Sequence, residues 1–233
     1  MRFLISLLAV TLFAAFMLIG CESSTSPLAE TPRLQLRLQA KTSSLKANPL
    51  LKVTSQNLMV IEEVKFFVDE MTLDGTHGTE DFELKKFIVN LPLDGTPLTI
   101  NDQAVPAGFY DEFELEIEKP DDDAAVNDPD FKDATGKYSV VVKGKYNGAD
   151  FTFRSKEDFE IKIDLDPALE IKESGNSILV LTVDFSRWFK GLNGDDLDPG
   201  DPMNTGRINE NIEKSFEAFK EKFDDDDDDD DDD

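Results

Sequence analysis

Phe113, Leu115 and Ile117 alternate strictly with Glu112, Glu114, Glu116 and Glu118. Successive side chains on a strand point to opposite faces, so this segment is a strand with one apolar and one acidic face. The same period of two recurs along the chain. Leu34, Leu36 and Leu38 alternate with Arg33, Gln35, Arg37 and Gln39, and Val64, Phe66 and Val68 follow. The phase then slips to Met71 and Leu73, which predicts a bulge, and Asp74-Gly75 is expected to close that strand. Phe82 and Leu84 begin another, with a second slip before Phe87, Val89 and Leu91, and Asp94-Gly95 reads as a turn.

Later segments repeat the signal. Val140 and Val142 lead into Asn147-Gly148, and Phe151 and Phe153 return. Asn-Gly tolerates the positive φ of a tight hairpin, so a hairpin is expected from Tyr138 to Phe153. Phe159, Ile161, Ile163 and Leu165 alternate with Glu160, Lys162 and Asp164, and a last strand runs through Leu179, Leu181, Val183 and Phe185. Regular spacing with turn chemistry between predicts a mainly β fold, an antiparallel β-sandwich of about seven or eight strands. After Pro202 the period changes. Ile208, Ile212, Phe216, Phe219 and Phe223 fall on one face of a helix, with Asn204 or Thr205 at its start. One C-terminal amphipathic helix packed on the sandwich is therefore expected; the rival reading is an exposed helix that binds a partner.

The start of the chain reads as an address. Arg2 is the only charge before Cys21, and an apolar run from Phe3 ends in Leu18-Ile19-Gly20-Cys21. A positive start, an apolar stretch and a small residue before the cut mark a secretory signal. Leu-Ile-Gly-Cys resembles the bacterial lipobox, and in lipoproteins of that type the Cys sulfur is acylated and the chain is cut before it. Several acyl chains anchor stably where one does not. An uncleaved signal anchor or a short buried helix is the plainer alternative. Glu22 rather than Asp follows Cys21, which by resemblance to enterobacterial lipoproteins favours the outer membrane, on its periplasmic face or at the cell surface. The chain divides accordingly into a signal peptide over 1–20, the lipidated Cys21 and a flexible tether over 21–32, and the β-sandwich domain over 33–190. A loop and helix over 191–223 and a disordered poly-Asp run over 224–233 complete it.

Composition narrows the chemistry. The chain of 233 residues carries 24 Lys+Arg against 50 Asp+Glu, a formal net charge of −26, which repels phosphate backbones and argues against nucleic-acid binding. One His and one Cys leave no His-based zinc site, Cys–His pair or disulfide framework, and Cys21 is already assigned to lipidation. His77 sits in a polar Thr-His-Gly loop with no Ser elbow or second His beside it. An enzyme built this way would rely on carboxylates alone, as two groups roughly 5–10 Å apart in a cleft do in a glycan hydrolase. The Glu112–Glu118 stripe reads more simply as a solvated outer face.

Two loops are dense in hard oxygen ligands. One carries Asp121, Asp122, Asp123, Asn127, Asp128, Asp130 and Asp133; the other carries Asn193, Asp195, Asp196, Asp198 and Asp201. Asp195, Asp196, Asp198 and Asp201 are the candidate calcium ligands, although neither loop fits the EF-hand register. With Asp196 first, Gly200 stands fifth and Arg207 twelfth; with Asp128 first, Lys132 stands fifth. The plainer reading is solvated loops. No other cofactor is expected. Trp188 and Phe189 could stack on a sugar, and more simply plug the end of the core.

Val105-Pro106-Ala107-Gly108-Phe109-Tyr110, the strand after it and the earlier Ile-Glu-Glu-Val-Lys-Phe-Phe-Val-Asp stretch resemble a group of uncharacterised bacterial lipoproteins. Their mature part is one β-sandwich domain of unknown function, with a Pro-Ala-Gly-x-Tyr turn entering a central strand. The resemblance spans Leu34 to Phe185 and implies a transthyretin-like or immunoglobulin-like sandwich on a lipid anchor, without catalytic residues. Tyr110 is expected to reach the backbone as a corner residue. The reading that follows is a non-enzymatic binding or structural module held at the membrane by its anchor, with an envelope protein or a glycan as partner. A fimbrial or adhesin subunit, with Leu34-Leu36-Leu38 as donated strand, is one alternative, and a carboxylate-based hydrolase is the other.

Overall fold

A computed structural model describes residues 31–41, 59–122 and 126–221. Cys21, the signal-like segment, most of the expected tether, Asp123 and the Asp run lie outside the described residues. The strands are β1 (Arg33–Ala40), β2 (Met59–Thr76), β3 (Phe82–Asn90), β4 (Leu98–Ala104), β5 (Gly108–Ile117), β6 (Lys132–Asp133) and β7 (Gly136–Lys137). They continue with β8 (Val140–Tyr146), β9 (Ala149–Ser155), β10 (Phe159–Ile171), β11 (Asn176–Val183) and β12 (Phe216–Glu221), and, among the described residues, one α-helix, α1, covers Thr205–Glu213. The chain is mainly β, as the period of two requires.

The described strands form a four-stranded sheet ordered β12-β11-β1-β4 and a six-stranded sheet ordered β10-β5-β2-β8-β9, with β3 also paired to β2. β6 and β7 make a separate two-stranded ribbon. Pairing is antiparallel except between β1 and β11, where Arg33 lies opposite Asn176 and Ala40 opposite Val183 in the same direction. A parallel pair needs a long crossover, and here most of the domain intervenes between the two strands. β1 is thus an interior strand of its own chain's sheet. Leu34, Leu36 and Leu38, considered above as a donated strand, are fully buried there.

Both large sheets contribute to one apolar cluster: Leu34, Leu36 and Leu38 of β1 and Leu179, Leu181 and Val183 of β11 join Val64 and Phe66 of β2 and Phe113, Leu115 and Ile117 of β5. Each such side chain stabilises the fold by about 1.5–3 kcal/mol on leaving water. Phe66 of one sheet meets Phe216 of the other edge to face, with ring centroids 6.0 Å apart. Trp188 is fully buried in the same cluster, and Phe189 packs edge to face on Phe151 and Phe153 at 5.5 and 5.7 Å. These aromatics therefore close the core and offer no platform to a sugar.

The phase slips have a common cause. Asp69 is the extra residue where β2 meets β5, so Val68 faces Ile117 and Glu70 faces Glu116. Beside it on β3, Lys86 takes φ 55°, and pairing resumes as Val68 with Phe87 and Glu70 with Lys85. The two slips lie side by side, so register survives between β2 and β3.

Asn147-Gly148 forms the expected hairpin, with φ of 54° and 81° between the paired Tyr146 and Ala149. Asp74-Gly75 does not turn. β2 continues to Thr76, and His77 (φ 57°) and Gly78 (φ 92°) form the turn, closed by Thr79 N donating to the Thr76 carbonyl at 3.1 Å, within the five-residue connection 77–81 to β3. Gly75 is needed for space instead: a Cβ there would lie 2.3 Å from the Thr79 carbonyl oxygen.

The helix also differs from expectation. α1 ends at Glu213, where the Ser215 hydroxyl donates to the Ile212 carbonyl at 2.6 Å, and Phe216–Glu221 pairs antiparallel with β11. Ile208 and Ile212 keep their buried helical face, whereas Phe216 is buried from a strand. A strand here satisfies the backbone edge of β11, a demand that outweighs the propensity of a short helix. Asn204 stands at the N-cap without a side-chain capping bond, its amide donating instead to the Asp198 carbonyl at 3.0 Å, while Asp201 caps the preceding turn by accepting from Met203 N at 2.9 Å.

Candidate functional site

Strand pairing collects the acids that the sequence keeps apart. Glu112 of β5 lies opposite Asp164 of β10 on one side and Asp74 of β2 on the other. Beyond this row the β5–β10 register breaks: Asp111 alone faces the stretch between Asp164 and Leu169. Pro167 lies in this bulge, where its missing N–H costs no ladder bond. The bulge opens a cavity of about 410 Å³ lined by Asp74, Asp111, Glu112, Asp164, Leu165 and Asp166. Asp74, Glu112 and Glu114 each bring a carboxylate oxygen within 4.8 Å of the others, and all three are half-buried.

Charge is only partly offset there. Lys162 of β10 binds Glu114 at 3.0 Å and Glu160 at 2.9 Å. Burial raises the Glu112 carboxyl above its usual range, Lys162 works against the shift, and Asp74, Asp164 and Glu114 add to it. Further along the stripe, burial and neighbouring carboxylates likewise raise Glu116 and Glu118. Asp74, Glu112 and Glu114 are the described residues with the geometry to share a hard cation, whose ligands are carboxylate and carbonyl oxygens. No described Asp or Glu is among the buried residues: Asp74, Glu112 and Glu114 are half-buried, and Asp111, Asp164 and Asp166 are exposed.

The expected calcium ligands are placed separately. Asp196 is paired with Lys190, Asp198 accepts from Gly200 N at 2.8 Å, and Asp201 caps the turn before α1. Asp195 is exposed beside Gly191. No three of Asp195, Asp196, Asp198 and Asp201 bring carboxylate oxygens within 4.8 Å of one another.

The first Asp-rich loop is neutralised by lysines. Lys65 makes ion pairs of 2.9 Å with Glu63, Asp128 and Asp130 at only 13% side-chain exposure, and Lys143 joins Glu63 at 2.9 Å and Asp130 at 2.5 Å. Burial alone would raise Glu63 and Asp130, but hydrogen bonds from Lys143 and Lys65 outweigh it and hold both below the usual carboxylate range. Lys86 takes Asp121 and Lys137 takes Asp122, each at 2.8 Å. Hydrogen bonds from Thr135 and Tyr138 hold Asp133 down to about 2. The loop covers the outer face of the six-stranded sheet, where Phe131 and Tyr138 pack over Phe67 and Val141 in a second apolar cluster.

Tyr110 acts as the expected corner residue: fully buried, it donates its hydroxyl to the Pro106 carbonyl at 2.8 Å. His77 is exposed at its turn, edge to face with Phe109 at 6.0 Å. Asp74 is the site residue that sequence reasoning passed over, because it was assigned to a turn; only the β2–β5 register brings it beside Glu112. No family model matches the chain, and neither curated proteins nor solved structures yielded a match.

Proposed function

We propose that the chain is a lipid-anchored protein of the bacterial cell envelope, whose mature part is an antiparallel β-sandwich serving as a non-enzymatic binding or structural module. The observation that carries this reading is Leu18-Ile19-Gly20-Cys21 after a positively charged start and an apolar run. Two large sheets that share one apolar cluster support the sandwich. The first described strand starts at Arg33, twelve residues beyond Cys21, a length that would serve as a tether. Among the described residues no helix is long and apolar enough to cross a membrane. Glu22 favours the outer membrane, and the partner is an envelope protein or a glycan.

Expression of the full chain with an alkynyl fatty acid, followed by fractionation, tests the reading. The natural chain should carry the label and sediment with membranes, whereas Cys21→Ser should carry none and persist as the unprocessed precursor. An unlabelled natural chain that stays unprocessed, as the variant does, would refute lipidation.

A further inference from the structure

β9 ends the six-stranded sheet, and among the described residues β8 is its only strand partner. The two keep a regular register along all of β9, from Val140 opposite Ser155 to Tyr146 opposite Ala149. Backbone groups on an antiparallel strand point alternately to either side. Tyr146 and Ala149 close a tight turn, and the Ser155 carbonyl accepts from Ser139 N at 3.0 Å, so Ala149, Phe151, Phe153 and Ser155 turn their backbone groups to β8. The N–H and carbonyl groups of Asp150, Thr152 and Arg154 therefore point away from the sheet, and no described backbone group pairs with them. Such an edge is a template for a further strand, and chains commonly blunt it with a bulge, a proline or a cover. Lys86 bulges from β3, Ile100 is left unpaired between Thr99 and Asn101 of β4, and the break in β10 holds Pro167. β12 approaches β10 of the other sheet. β9 carries neither bulge nor proline.

This edge is self-complementary in sequence. Turned about Thr152 by a twofold axis, Ala149-Asp150-Phe151-Thr152-Phe153-Arg154-Ser155 sets Asp150 opposite Arg154, Phe151 opposite Phe153 and Ala149 opposite Ser155. The same register brings the outward-pointing residues together, Thr152 with Thr152 and Asp150 with Arg154, and each such pair exchanges both backbone hydrogen bonds. Registers centred on Asp150 or Arg154 would set like charges face to face. Arg154 is held in place: its Nε donates to the Asp130 carbonyl at 3.3 Å and its guanidinium lies 5.4 Å from the Tyr138 ring centroid, yet it makes no ion pair among the described residues. The Asp150 side chain is 82% exposed and has only Lys145 as its partner. On the other face half-buried Phe151 packs on Phe189, and Phe153 of a second copy would extend that aromatic contact across the new strand pair.

We propose that β9 is a dimerisation edge, at which a second copy of this chain pairs antiparallel about Thr152 and joins the two six-stranded sheets into one. The contact is isologous, so the Asp150–Arg154 pair occurs twice. Charge selects the occupant: one acid and one base stand at equal distances from the centre of the strand, a pattern that the same strand turned about matches in both sign and spacing. Pairing stops at the ends of β9, where Ser155 Oγ accepts from Glu157 N at 3.1 Å on one side and the Asn147-Gly148 turn closes the other. An interface of one strand from each copy is small, so the dimer is weak and depends on concentration. The inference is independent of the lipid anchor.

Crosslinking of the full chain tests this edge. With Cys21→Ser removing the natural thiol, Thr152→Cys places the thiols of two paired copies on Cα atoms about 5.5 Å apart, within reach of a short bismaleimide. Across a dilution series in mild detergent, its yield of covalent dimer should exceed that of Thr99→Cys, an exposed position on β4, several-fold at the higher concentrations. Equal yields, or a monomer at every concentration, would overturn the proposal, whether the edge is bare or filled by another segment of the same chain. Asp150→Arg brings a second guanidinium to face Arg154, and Arg154→Asp brings a second carboxylate to face Asp150. Each change, combined with Thr152→Cys, should lower the dimer yield several-fold when tested alone. Mixed, the two chains are complementary again, and a heterodimer identified by mass should recover the yield. Crosslinking that persists with Asp150→Arg alone would overturn the register; Asp150 is exposed, so this arm stands even where Arg154→Asp impairs folding.

Discussion

Lys65→Met should convert a neutralised loop into a destabilised one. Lys65 is the centre of the Glu63–Asp128–Asp130–Lys143 network, and the substitution keeps the length of its aliphatic stem while removing the charge. An exposed ion pair contributes up to ~1 kcal/mol, whereas removing one partner of a buried pair costs about 3–5 kcal/mol. With three carboxylates on a side chain 13% exposed, the loss at pH 7 falls between these limits, at about 2–3 kcal/mol. For a domain of this size that lowers Tm by roughly 5–10 °C. The pH dependence has a definite sign. Glu63 and Asp130 titrate below their usual range in the folded state, so their contribution is present above the unfolded carboxylate value of about 4 and is lost as pH falls through the folded value. Lys65 is shifted up, so its own contribution holds below about 10 and is lost only at higher pH. Thermal unfolding followed by circular dichroism should therefore show the wide gap between natural chain and variant at pH 7 closing towards pH 3. Millimolar Ca²⁺ should raise the Tm of the variant more than that of the natural chain, because Glu63 and Asp130 then share only Lys143 and Asp128 has lost its lysine. A variant within about 2 °C of the natural chain at pH 7 would refute the claim that lysine neutralisation holds this loop.

Tyr110→Phe removes the 2.8 Å bond to Pro106 and should cost about 1 kcal/mol in urea unfolding, with the m-value unchanged. Gly108→Ala places a Cβ 2.1 Å from Thr79 Oγ1 at φ +149° and should cost about 2 kcal/mol or more by the same unfolding; adding Thr79→Ala should recover only part of the loss, because the Thr79 Cβ stays 2.9 Å from the new Cβ and Phe109 N loses its acceptor. Phe131→Ala should cost about 3–5 kcal/mol and increase proteolysis between Asp121 and Tyr138, because Phe131 is the fully buried anchor of that cover. Burial and the charges of Glu118, Glu70 and Glu114 raise the Glu116 carboxyl, so the folded state binds its proton more tightly and Glu116 weakens the fold as pH rises above about 4. Glu116→Gln should accordingly raise Tm at pH 7, with the benefit fading as pH falls towards 4.

Local signals in the sequence carried the strands well. Strict alternation located β1, β5, β8–β9 and the first part of β10, because one face of each is buried and the side-chain period of a strand admits no drift. The slip after Val68 was legible for the same reason. Phe216 and its neighbours were not, since a residue four places after Ile212 suits a helix and a bulky aromatic suits a strand equally well. What decides between them is the unpaired edge of β11, more than thirty residues earlier in the chain. Gly75 shows the same limit: Asp-Gly is good turn chemistry, yet this glycine is fixed by the approach of Thr79, and His77 takes the left-handed conformation instead.

Charge followed a different logic. Counting acids marked two loops, but a carboxylate becomes available to a ligand only if the fold supplies it no cation and no backbone donor. Asp128 and Asp130 receive Lys65 from a strand some sixty residues away, and Asp198 and Asp201 accept from N–H groups two residues on. Asp74 and Glu112, in segments read as a turn and a solvated stripe, are the acids that pairing sets side by side. Density of like charge along the chain therefore marks where compensation is built, and the uncompensated group arises where two strands bring acids into register.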